Sequence, residues 1–280
     1  MASTSDHFAA FSFVDRISEL AAGTRARGVF DIPAGLRDFR PSLVAEAVGQ
    51  LAAWAAMSKV DFRGRPVAAL ATETQFHQDV LPGQTLQLGV DIEDCDDDAV
   101  VYGGWARVDG KTVIELRHCL GPMLAVDQFD SPDALRERFE LLRGRGAASG
   151  RFHGVDLPEV SVNEFDPGKV SEATLHVPED APFFGDHFPR RPVFPATLLL
   201  DAQMRMAVAL VASTTRDTSW SPSLMSNVKM RAFITPGQEV DLEARMLSAA
   251  GETPRVGLSA VVAGKTVATA RVELIQREAA

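Results

Sequence analysis

The sequence predicts an α+β fold built twice in tandem, each half a curved antiparallel sheet wrapped around one long buried helix. Three observations predict it. The first is an internal repeat. Leu81-Pro82-Gly83-Gln84 returns as Thr235-Pro236-Gly237-Gln238, and Gly110-Lys111-Thr112-Val113 returns as Gly264-Lys265-Thr266-Val267, both at an offset of 154 residues. Glu46-Ala47 and Asp201-Ala202 add a third anchor at an offset of 155. A period this long repeats whole domains, because solenoid units recur every ~20–50 residues. The second observation is a pair of segments apolar nearly all round, which as helices must be buried on most sides. The third is alternation of apolar and polar residues after each Pro-Gly turn, the mark of half-buried strands. The pattern by itself also admits other α+β arrangements.

Taken in order, the first half spans 8–124. Its helix is expected over 41–57, opened by Pro41 at a position where a missing N–H costs nothing. A strand follows over 85–90. The linker, 125–167, should carry a helix from 131 to 143: Ser131 caps it, Pro132 sits in the first turn, and Asp133 lies at the positive end of the dipole. Gly144, Gly146 and Gly150 then stop the helix and mark a flexible stretch. The second half spans 168–277. A loop leads into its helix over 195–212, and a strand alternates over 239–244.

Composition excludes several functions. The chain has 280 residues, 46% hydrophobic, with a formal net charge of −10, so a nucleic-acid partner is not expected. No apolar run reaches the length of a membrane span, and the first residues lack a signal-peptide pattern. Two cysteines, Cys95 and Cys119, are too few for a disulfide framework or a cysteine-based zinc site. A cytoplasmic protein is expected. Dinucleotide-binding, P-loop and HExxH motifs are missing.

The most specific stretch is Phe183-Phe184-Gly185-Asp186-His187-Phe188-Pro189, which continues through Pro192, Pro195 and Ala196 to Asp201-Ala202. It resembles the active-site segment of bacterial β-hydroxyacyl-acyl-carrier-protein dehydratases, in which a His-Phe-Pro motif precedes the central helix and an acidic residue stands fourteen positions after the histidine. Phe13-Val14-Asp15-Arg16-Ile17 and Glu46-Ala47-Val48-Gly49-Gln50 resemble the same family. The resemblance implies the double hotdog fold, two tandem hotdog domains. It also implies elimination of water from 3-hydroxyacyl thioesters in fatty-acid or polyketide and polyene-type synthesis. Asp186, Arg190 and Ala196 stand where the family usually has glycine, and Arg205 where it often has glutamine. The first half has no histidine at the matching position, Ile32 or Pro33. In the family each site takes its histidine from one hotdog and its acid from the other. The resemblance therefore pairs His187 with Glu46 and leaves Asp201 facing no histidine.

The residues themselves agree with that pairing. Glu46 lies in an apolar run with uncharged Gln50 one turn on, and burial without a cation raises a carboxyl pKa. Asp201 has Arg205 at i+4, which would hold it ionised in a structural ion pair; it is the alternative acid. The implied roles are His187 as general base, Glu46 as general acid, Gln50 beside it, and the Ala196 N–H as oxyanion donor. No metal and no organic cofactor are expected, because phosphopantetheine or coenzyme A carries the acyl group. The expected partner is an acyl carrier protein, docked through Arg190 and Arg191, or an acyl-CoA. The chain would be a monomer or a homodimer. Alternatives on the same fold are an enoyl-CoA hydratase or isomerase, a thioesterase, and a non-catalytic acyl-binding partner subunit. His7, His77, His118, His153 and His176 carry no motif.

Overall fold

The computed structural model describes residues 8–214, 219–248 and 251–277. The first half runs β1 (Arg16–Ala21), β2 (Arg25–Asp31), α1 (Pro41–Lys59), β3 (Gly64–Pro66), β4 (Leu70–Phe76), β5 (Thr85–Cys95), β6 (Ala99–Val108) and β7 (Lys111–Ala125). After α2 (Pro132–Arg143), the second half runs β8 (Glu159–Asp166), β9 (Val170–His176), α3 (Pro182–His187), α4 (Ala196–Ala212), β10 (Trp220–Met230), β11 (Glu239–Met246), β12 (Arg255–Val262) and β13 (Lys265–Gln276). Among the described residues no helix is long and apolar enough to cross a membrane.

The strands form one antiparallel path, β1-β2-β5-β6-β7-β4-β10-β13-β12-β11-β9-β8, with β3 paired to β7 off that path. Its two sides mirror each other. Reading outward from the β4–β10 seam, each side lists its strands in the same chain order. At the seam Gln75 faces Leu224 and Leu70 faces Lys229.

Each long helix lies on its own half's strands: α1 on β5, β6 and β2, and α4 on β11, β10 and β9; the two helices also touch each other. The only charges in α1 are Glu46 and Lys59, and Leu51, Ala52 and Ala55 are fully buried. Each such leucine contributes roughly 1.5–3 kcal/mol. Gly104 allows the close approach of β6, because a Cβ there would stand 2.5 Å from Val48 Cγ1 of α1.

Helix α2 forms over the expected span, with Ser131 Oγ accepting from Ala134 N at 3.4 Å. The linker differs from expectation beyond it. Gly146 and Gly150 take positive φ, yet the chain is pinned: Gly146 N donates to Leu141 O at 2.9 Å and Ala147 N to Asp15 O at 2.7 Å. Phe152 is buried against Phe13 and Phe39, and that burial explains why the glycines shape a turn here and do not loosen the chain. The loop before α4 also differs, since it contains the short helix α3, opened by Pro182.

Candidate active site

His187 is the last residue of α3. Its Nδ1 lies 3.4 Å from Val193 O. A carbonyl accepts only from N–H, so this contact favours the proton on Nδ1 and leaves Nε2 as a free base. Arg65 fixes the backbone here: Nη2 donates to His187 O at 2.7 Å, Nη1 pairs with buried Asp130 at 3.0 Å, and the guanidinium stacks on Phe188. The ring of Phe11, from the other half, meets the imidazole edge to face at 5.5 Å. Burial and the nearby Arg65 charge push the His187 pKa down to about 3, so the ring is neutral at physiological pH.

Glu46 projects from α1 into the same cavity, of about 250 Å³, which His187, Gln50, Ala196, Thr197 and Tyr102 also line. Its carboxyl is held from both halves. Gln50 Nε2 donates to Oε1 at 3.0 Å, and Thr197 Oγ1, from α4, donates to Oε2 at 2.8 Å. Gln50 is itself fixed, accepting from Phe13 N at 2.8 Å and donating to Phe11 O at 2.9 Å. Burial raises the Glu46 pKa above the usual carboxylate range, and the two hydrogen bonds and Arg65 offset only part of that. Ala196 and Thr197 form the first turn of α4, whose cap, Pro195, offers no side-chain acceptor. The Ala196 and Thr197 amides have no acceptor within the helix, whereas Leu198 N donates to Pro195 O at 3.1 Å, and the helix dipole adds partial positive charge at this wall.

The opposite carboxylate is built differently. Asp201 is buried and accepts from Arg205 Nε at 3.0 Å and Ser42 Oγ at 3.3 Å, with Arg40 Nη1 at 3.6 Å. Ser42 and Thr197 stand at equivalent repeat positions, as do Gln50 and Arg205. The two acids therefore share one hydroxyl-across-the-interface design. One has a neutral amide beside it and the other has two cations. Ile32, where a histidine would fall, is buried and bonded through its backbone to Gln84 and Gly83.

Arg190 and Arg191 are exposed. Arg190 donates to Asp127 O at 3.1 Å, and Arg191 lies over the Phe129 and Phe233 rings. His77, His118 and His153 are exposed and His176 is half-buried; His7 lies outside the described residues.

Sequence reasoning missed three features. Asp186 accepts from Phe11 N at 2.7 Å and Ser12 Oγ at 3.1 Å, tying the amino-terminal segment to the histidine loop; its signal was an acid where the family usually has glycine. Tyr102, the sole tyrosine of the chain, is hydrogen-bonded to Cys119 and stands within electrostatic reach of Glu46. Burial lifts its pKa well above normal and that of Cys119 to about 12. A register shift between Tyr102 and Gly104 re-aims this part of β6. The third, Arg138, is taken up below.

A large antiparallel sheet with long helices packed on it defines a hotdog-fold protein. Known proteins agree. The family model of the ApeI-like dehydratases matches residues 164–264. The 3-hydroxyacyl-[acyl-carrier-protein] dehydratase FabZ of Shewanella amazonensis is 30% identical over 126 residues, covering 42% of this chain and 80% of the relative; that of Shewanella oneidensis is 29% identical over 126 residues, with the same coverage. Among solved structures, a 12:0-ACP thioesterase from Umbellularia californica superposes with a TM-score of 0.55 at 12% identity, covering 98% of each chain. A MaoC-like dehydratase does so at 0.51 and 13%, covering 92% of this chain and 98% of that one. These distant likenesses show the fold alone. The chain belongs to the hotdog-fold dehydratase family of the FabZ relatives.

Proposed function

We propose that this chain is a tandem double hotdog, with halves 8–124 and 168–277 joined by the segment 125–167, and that it dehydrates carrier-protein-bound 3-hydroxyacyl thioesters to 2-enoyl thioesters at one composite site. The observation that carries this reading is the meeting of His187 from the second half and Glu46 from the first in one cavity, with the helix α4 terminus beside them. His187 Nε2 takes the proton from Cα. Glu46 gives its proton to the hydroxyl leaving Cβ, which departs as water while the electron pair of the C–H bond forms the double bond. The thioester oxygen gathers charge against the Ala196 N–H.

The two pKa directions suit these roles: His187 is held neutral, and burial favours the protonated form of Glu46. A base pushed down to about 3 would be weak alone. Glu46 turns anionic as His187 turns cationic, and each charge stabilises the other in the enclosed cavity. Outside, Arg190 and Arg191 present positive charge, Arg191 beside Phe233 of the cavity wall, where an acidic carrier protein would dock.

The test is loss of water from a 3-hydroxyacyl carrier-protein thioester, followed by mass spectrometry. Wild type and Asp201→Asn should turn over, while His187→Ala and Glu46→Gln should each lose about a thousandfold in rate. Loss of activity in Asp201→Asn with Glu46→Gln still active would overturn the pairing. An inactive wild type across several chain lengths would overturn the dehydratase reading.

A further inference from the structure

Helix α2 presents Leu135, Arg138 and Leu142, spaced i, i+3 and i+7, as one wall of the cavity. Leu135 and Leu142 are buried and apolar, as a wall for an acyl chain should be. Arg138 is only 5% exposed, and its Nη2 has no hydrogen-bond partner among the described residues. Its guanidinium lies 5.1 Å from the Phe8 ring centroid. Asp15 and Asp186 lie within electrostatic reach, but neither hydrogen-bonds Nη2: Asp15 Oδ2 accepts from Asp31 N at 2.9 Å, and Asp186 Oδ2 accepts from Phe11 N and Ser12 Oγ. A buried donor left unmet is destabilising, and buried polar groups seldom go unsatisfied.

The charges nearby are balanced. Arg65 has Asp130, and Arg138 stands among Asp15, Asp186 and Arg151. The group that satisfies Nη2 need not bring a further negative charge; it needs to bring an oxygen. Phe8, Trp54, Met57, Leu135 and Leu142, which line the cavity with Arg138, supply no acceptor from their side chains. On the α1 side the lining runs from Ser42 to Met57, and Met57 lies eleven residues, about 16 Å of helix, beyond Glu46, so the cavity extends well past the reacting carbons.

We propose that Arg138 is a specificity residue that donates a hydrogen bond to a hydroxyl or carbonyl oxygen on the acyl chain, remote from the carbons that lose water. The substrate class is then an oxygenated 3-hydroxyacyl thioester and not a plain saturated one. This assignment of substrate rests on the dehydratase reading; the recognition itself does not.

The two are separated by measuring binding and turnover independently. Non-reactive pantetheine thioethers are titrated into the whole protein by calorimetry, in matched sets ending in methyl, hydroxyl, ketone or carboxylate, with the oxygen moved carbon by carbon along the chain. Wild type should bind one neutral oxygen position at least about tenfold tighter than the methyl analogue, the scale of a hydrogen bond to a charged donor. Arg138→Met should abolish that preference and gain affinity for the methyl analogue, and Arg138→Lys should retain part of it. Equal wild-type affinity for oxygenated and plain chains, no binding of either, or a preference for the carboxylate would each overturn the proposal, whether or not the variants fold. A clear oxygen preference with no turnover of the matching 3-hydroxyacyl thioester would instead uphold the recognition and refute the dehydratase reading.

Discussion

At the scale of single residues, the two proposed proton carriers have pKa shifts in opposite directions, and both shifts have burial as their first cause. Glu46 is raised and His187 lowered to about 3. Activity needs the acid protonated and the base neutral, so kcat/KM should be flat on the acid side down to the pH of unfolding. It should fall as pH rises through the raised Glu46 pKa. A pH–rate profile with an acidic limb near the ordinary histidine pKa would contradict this. His187 also carries a stability consequence. Its folded pKa lies below the ~6.5 of an unfolded histidine, so the unfolded chain binds the extra proton first and stability is lost as pH falls. At pH 5 the difference amounts to roughly 2 kcal/mol. Urea melts of wild type and His187→Phe should converge toward pH 7 and diverge below 6, the variant losing less on acidification. Asp201→Asn should keep activity yet lose about 1–3 kcal/mol, because a neutral amide keeps one acceptor oxygen and sets an NH2 donor against the partners of the other. His187, Glu46 and the Asp201–Arg205 pair could be picked out in the sequence because each rests on a local motif or an i+4 spacing. Asp186, Tyr102 and Arg138 could not, because their neighbours lie far away in the chain or across a strand register shift.

At the scale of elements, both long helices could be read from their unbroken apolar character and their prolines. Helix α2 could be read from its cap, its first-turn Pro132 and Asp133, and its terminating glycine. What α2 packs against could not be read. Its Phe139 stacks on Trp54 of α1 at 6.1 Å and meets Phe62 at 5.3 Å, which makes the linker helix part of the first half's core. Phe139→Ala should therefore cost about 3–5 kcal/mol in chemical denaturation, where an element that served only as a tether would lose almost nothing. Helix α3 escaped notice because six residues hold too little periodicity to register, and its role is to aim one imidazole.

At the scale of the whole molecule, the internal repeat foretold two like halves, and the strand order bears that symmetry out on either side of the β4–β10 seam. The seam itself was invisible, since nothing in β4 or β10 states which strand will be its neighbour. Hydrogen bonds along it, together with α1 against α4 and Thr197 against Glu46, hold the halves without help from the exposed stretch near His153 and Gly154. A protease site placed there should, once cut, leave two fragments that co-elute in gel filtration and retain the proposed dehydration activity. Fragments that separate would show that the covalent link is required for assembly.

The unequal treatment of the two acids has one more consequence. In a pair of identical subunits, every substitution appears on both sides of the symmetry axis, so a change that firms up one site alters the other as well. Joining the halves in one chain removes that obligation. The lobe around Asp201 can then commit its acid to an ion pair, with Arg205 on the same helix and Arg40 and Ser42 reaching it from the other half. The lobe around Glu46 can keep neutral partners, Gln50 and Thr197, beside an acid that must give up its proton.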